Sequence, residues 1–138
     1  MFEEELVTNT IGRQFWIYKN DSFYQQRIAG AGPYQKQNLL QLRRLVPNPR
    51  TILDVGMNIA MNTIEYATWA KTVHGFEPTK QTYNMALKNI ALAQAQTEAD
   101  MTKGWHANGS RATGWSSCVI NGEIHTHNCA LSTEGGTT

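Results

Sequence analysis

A chain of 138 residues accommodates one core of the usual domain size, about 100–150 residues, and is short for most nucleotide-dependent enzymes. A net charge of +1 with 17% charged residues gives no broad field, which argues against a nucleic-acid groove or an acidic-membrane surface. No apolar run approaches the roughly 20 residues that span a bilayer, and the opening Met1-Phe2-Glu3-Glu4-Glu5 is the reverse of a signal peptide's basic start, so the cytoplasm is the expected compartment.

The first predicted element is a short strand over Gln14 to Tyr18, where Phe15, Trp16, Ile17 and Tyr18 favour extended backbone and Asn20-Asp21 supplies a turn. Asp21-Ser22 can cap one or two helical turns reaching Ala29, before the breaker Gly30-Ala31-Gly32-Pro33. A clearer helix runs from Tyr34 to Val46. Leu39, Leu42 and Val46 recur at helical spacing, Arg43-Arg44 belongs to the solvated face, and Pro47-Asn48-Pro49 ends it. Thr51-Ile52-Leu53-Asp54-Val55 is apolar without polar alternation, the pattern of a parallel strand buried on both faces.

A helix follows from Met61 to Ala70, with Met61, Ile64 and Ala67 facing the sheet. Thr72 to Phe76 is the next strand, and Thr79 can cap a helix whose inward face is Tyr83, Ala86, Leu87 and Ile90. Such β-α-β-α order, closed by right-handed crossovers, makes a parallel sheet with flanking helices, an α/β doubly wound architecture. Residues 97–122 read as a long irregular connection, Ile124 to Leu131 regains strand character, and the Gly-rich stretch from Ser132 reads as a loop or frayed end. With only Cys118 and Cys129, free thiols are expected, a single bridge in an oxidising compartment being the alternative.

The chemistry concentrates in Asp54-Val55-Gly56-Met57-Asn58-Ile59-Ala60, where a strand turns into a helix. Ligands of open parallel sheets sit at the carboxyl strand ends and need close backbone approach, which Gly56 permits, while Asp54 and Asn58 supply polar contacts. Glu77 ends the next strand at about the 20-residue interval at which an acidic residue accepts ribose hydroxyls.

At these residues the chain resembles the FkbM family of S-adenosylmethionine-dependent methyltransferases. The family's first motif reads approximately D-V-G-A-N-I-G, and its second strand ends in G-F-E-P; here they are Asp54 to Ala60 and Gly75-Phe76-Glu77-Pro78. The similarity extends through Asn62-Thr63-Ile64-Glu65-Tyr66-Ala67, Asn89-Ile90, and Ala130-Leu131-Ser132 with Gly135, and covers about residues 12–138. The resemblance implies an incomplete Rossmann-like class I methyltransferase fold: residues 1–50 as a small N-terminal β/α extension and 51–138 as a partial cofactor-binding half. It implies S-adenosylmethionine as cofactor and methyl transfer to a sugar or small-metabolite hydroxyl. Asp54, Gly56, Met57 and Asn58 would line its methionine end, Glu77 would hold its ribose, and the strand end at Ala130 would lie near adenine. Tyr34 occupies a place where the family tends to carry an aromatic near the cofactor mouth; its alternative is a packing role at the helix start.

Two departures stand in the motif. Met57 replaces a small residue and would either turn away from the crevice or partly fill it, and Ala60 replaces the last glycine. The family continues into an acidic D-V-E-G-like strand and acceptor-binding loops without counterpart here, so no catalytic residue is assigned. The alternative is a truncated or split methyltransferase segment that binds the cofactor weakly or not at all, its open sheet edge self-associating or taking a complementary chain.

Other readings compete. Asp54-Val55-Gly56 also suits an unrelated α/β turn, and an NAD-type domain would share the acidic strand end but expects G-x-G-x-x-G. His125, His127 and Cys129 would point to one face of a strand, with His106 and Cys118 as further zinc ligands, yet H-x-H-x-C matches no common zinc spacing and no metal is expected. Trp105 and Trp115 are read as loop anchors rather than ligand-stacking rings.

Overall fold

The computed structural model describes residues 3–19, 21–102 and 119–132. Glu4–Thr8 (β1) and Gln14–Tyr18 (β2) pair antiparallel as a two-stranded sheet. Asn9 organises the turn between them: its side-chain oxygen accepts the Ile11 and Arg13 N–H groups at 3.1 and 2.9 Å. β1 carries too short a polar–apolar alternation to be read from sequence, and its ladder to β2 is what holds it extended. Ser22–Ile28 (α1) starts as expected, Asp21 accepting the N–H groups of Phe23 and Tyr24.

Lys36–Leu45 (α2) begins later than Tyr34, because Gln35 takes a left-handed conformation with φ 55°. Of its predicted apolar stripe only Leu39 is buried; Leu42, Leu45 and Val46 stay exposed, a correction to the expected inward face. Arg43 also departs from the solvated face assigned to it. Its guanidinium is half-buried, donates to Thr68 Oγ1 at 2.7 Å and lies over the Trp69 ring.

Thr51–Val55 (β3), Thr72–Phe76 (β4) and Glu123–His127 (β5) form a three-stranded parallel sheet in the order β3-β4-β5. Residue pairing runs Asp54↔Gly75↔Thr126 and Val55↔Phe76↔His127. The molecule is thus a mixed α/β fold with a parallel sheet flanked by helices, compatible with a Rossmann-like arrangement. β3 is not buried on both faces. Leu53 and Val55 are 58% and 60% exposed, since β3 is an edge strand covered on one side only.

Met61–Tyr66 (α3) buries Met61 and Ile64 as expected and gives way to turns before Ala70. Lys80–Thr102 (α4) is longer than predicted and enters the stretch read as irregular. Its buried residues include Met85, Ala86, Asn89, Ile90, Ala93 and Thr97, whereas Leu87, expected inward, is exposed. β5 stops at His127, so Ala130 and Leu131 lie beyond it, exposed. The main core joins Phe15 and Ile17 of β2 to Ile28, Met57, Ile59, Ile64, Met85 and Ile90. Among the described residues no helix is long and apolar enough to cross a membrane. His106, Trp105, Trp115 and Cys118 lie outside the described residues.

Candidate functional site

The carboxyl ends of all three parallel strands are stitched together. Gly56 and Met57 both donate their N–H to the Phe76 carbonyl at 2.9 Å, and Glu77 N–H donates to the His127 carbonyl at 3.0 Å. Asn128 Nδ2 donates to the carbonyls of Glu77 and Pro78 at 2.9 and 3.1 Å. The sharp turn after β3 uses left-handed backbone at Gly56 (φ 79°), Asn58 (φ 52°) and Ala60 (φ 74°). Ala60 adopts at some steric cost the conformation a glycine would take freely.

Glu77 is only 5% exposed, and backbone amides hold its carboxylate: Oε1 accepts from Asn58 N–H at 3.1 Å and Oε2 from Thr79 N–H at 2.9 Å. One side chain therefore ties the turn after β3 to the start of α4, and each oxygen retains a further lone pair. Asp54 accepts Thr63 Oγ1–H at 2.6 Å on Oδ2. Burial pushes the Asp54 carboxyl above its ordinary pKa, with the Thr63 bond opposing the shift. Met57 is buried. Its sulfur packs directly over Gly75, where a Cβ would collide with it, so this side chain belongs largely to the core.

A cavity of about 30 Å³ lies in this turn, lined by Asp54, Gly56, Met57 and Asn58 together with Tyr34, Met61 and Asn62. Of the residues singled out from sequence, Asp54, Gly56, Met57, Asn58 and Tyr34 line it, and Glu77 joins through its bond to Asn58. Ala130 does not line it and is exposed past the end of β5. Larger depressions of about 530 and 340 Å³ have other linings, one beside Tyr18, Asp21 and Gln81, the other beside Leu42, Ile52 and Trp69.

Three residues of the site carry no sequence signal for their roles. Asn62 donates through Nδ2 to Gln35 Oε1 at 2.9 Å, bridging α3 to the start of α2, while its Oδ1 is buried without a hydrogen-bond partner. The Tyr24 hydroxyl is pushed above its ordinary pKa by burial first, then by the charges of Asp21 and Glu77 and by Tyr34. Asn89 is fully buried in α4. It donates to the carbonyls of Trp16 and Ile59 at 3.0 Å each and accepts the Trp16 N–H, fixing the turn against β2.

Among the described residues no three His, Cys, Asp or Glu side chains gather as a metal site, and Cys129 is a free thiol. Compared with known proteins, the chain matches no family model and no curated protein.

Proposed function

We propose that the turn after β3 binds the adenosyl group of S-adenosylmethionine and that the chain is the cofactor-binding part of an FkbM-type methyltransferase, acting on a sugar or small-metabolite hydroxyl. The observation that carries this reading is the meeting of Gly56 and Glu77 across adjacent parallel strand ends, where open α/β sheets bind nucleotides.

The chemistry of the residues suits such a ligand. Space beside Gly56 is open: among the described residues, its two chain neighbours aside, no atom lies within 4 Å of where a Cβ would sit. The remaining lone pairs of Glu77, beside its bonds to Asn58 and Thr79, can accept a ribose diol. Asp54 and Asn58 offer polar contacts in the cavity, and the unpartnered Asn62 Oδ1 can accept from a ligand ammonium. A cavity of about 30 Å³ has room for little more than a water molecule. Ligand binding at this turn therefore requires its lining to open. When bound, the sulfonium supplies an activated methyl group; the chain's part is to hold and orient it.

A second reading, a methyltransferase segment without turnover, draws on the small cavity and on the sheet's uncovered face. Isothermal titration with S-adenosylmethionine, S-adenosylhomocysteine and NAD discriminates the classes. Heat from the first two and none from NAD is expected; no adenosyl binding by protein shown folded by circular dichroism overturns the proposal.

A further inference from the structure

The outer face of the parallel sheet carries three histidines side by side. In the register, His74 lies between Leu53 and His125, and Phe76 between Val55 and His127. His74 Nδ1 and His127 Nε2 are 3.0 Å apart with ring planes 19° from parallel, so one nitrogen donates and the other accepts. His125 stacks on His74 at 4.9 Å, and His127 stacks on Phe76 at 4.6 Å.

Among the described residues, charged partners on this face are few. β3 contributes Thr51, Leu53 and Val55, none titratable. β5 contributes Glu123, whose carboxylate lies 3.2 Å from His125 Nε2 and so is engaged outside the His74–His127 pair. The carboxylates nearest in sequence are committed elsewhere, Asp54 to Thr63 and Glu77 to the amides of Asn58 and Thr79. One proton on the pair leaves an imidazolium donating to a neutral ring; a second leaves two N–H groups facing each other with no acceptor and two adjacent cations.

We infer that this histidine row is an acid-labile seam: double protonation of His74 and His127 releases β5 from β4 while the rest of the fold stays in place. β5 is the vulnerable strand because, among the described strands, it is an edge laddered to β4. β3, the other edge, has no histidine and is its internal control.

Hydrogen exchange on the whole chain, corrected for intrinsic rates, tests this. Protection of 123–127 relative to 51–55 falls about ten-fold or more between roughly pH 7.5 and pH 5, where imidazoles gain protons. In a His74→Asn, His127→Gln double variant, which keeps polar atoms near the bonded positions without a titrating ring, the ratio stays constant. A constant ratio in the wild type, or the same fall in the folded variant, overturns the inference. Should the variant not fold, NMR titration of the wild-type rings decides. Ring midpoints for His74 and His127 that coincide with the loss of β5 protection support the seam, and midpoints about one pH unit or more away overturn it. Strand protection is read without any ligand, so the result is separate from the cofactor proposal.

Discussion

Gly56 and Gly122 are glycines for different physical reasons. Gly56 has φ 79° with open space around a built Cβ, whereas at Gly122 a Cβ would strike the Ala70 backbone carbonyl. Gly56→Ala should therefore cost only conformational strain, about 1–2 kcal/mol in urea unfolding. Gly122→Ala should cost more, about 3 kcal/mol, since backbone on both sides must shift. Asp54 is a different case, a carboxylate whose pKa is raised by burial. Its charge then destabilises the folded state at neutral pH, and that penalty disappears as pH falls through the raised folded-state pKa toward the unfolded value near 3.9. Asp54→Asn should accordingly raise the urea midpoint at pH near 7 and lose this advantage below about pH 4. The turn backbone at Gly56 and Asn58 was legible because it is local, set by a strand-to-helix turn within a few residues. Met57 was not, because only the position of Gly75 on the next strand decides that its sulfur lies inward.

Among elements, the β1–β2 hairpin is fastened to the α/β part by two buried polar ties. Asn89 of α4 bonds Trp16 and Ile59, and Arg13 Nε donates to Glu65 Oε1 of α3 at 3.1 Å with both side chains only 2% exposed. Taking the Arg13 cation out of this buried pair leaves the Glu65 carboxylate less well compensated, although the Arg43 charge also acts on it, so Arg13→Met should cost about 3 kcal/mol. The Arg13→Met, Glu65→Leu double variant should recover much of this, as a double-mutant cycle in urea would read. The existence and order of α1, α2, α3 and α4 follow from caps, breakers and spacing. Their inward faces follow less well: α2 turns Leu42 and Val46 outward, and α4 buries Met85 instead of Leu87.

At the scale of the molecule, the parallel sheet has one packed face and one largely open one. Ile64→Ala, on the packed side and fully buried, should cost about 2–5 kcal/mol. Leu53→Thr, already mostly exposed, should stay within about 0.5 kcal/mol, thermal or urea unfolding comparing the two. By itself the amino-acid order determined the strand-turn-helix at Asp54 to Ala60, the Asp21 cap, and the β-α-β-α succession. Each depends on sterics and hydrogen bonds among neighbours in the chain. Tertiary structure alone decided which sheet face is covered, that Glu77 clamps Asn58, that Arg13 finds Glu65, and that His74 meets His127. Those partners lie tens of residues apart, so neither periodicity nor propensity encodes their meeting; burial and strand register do.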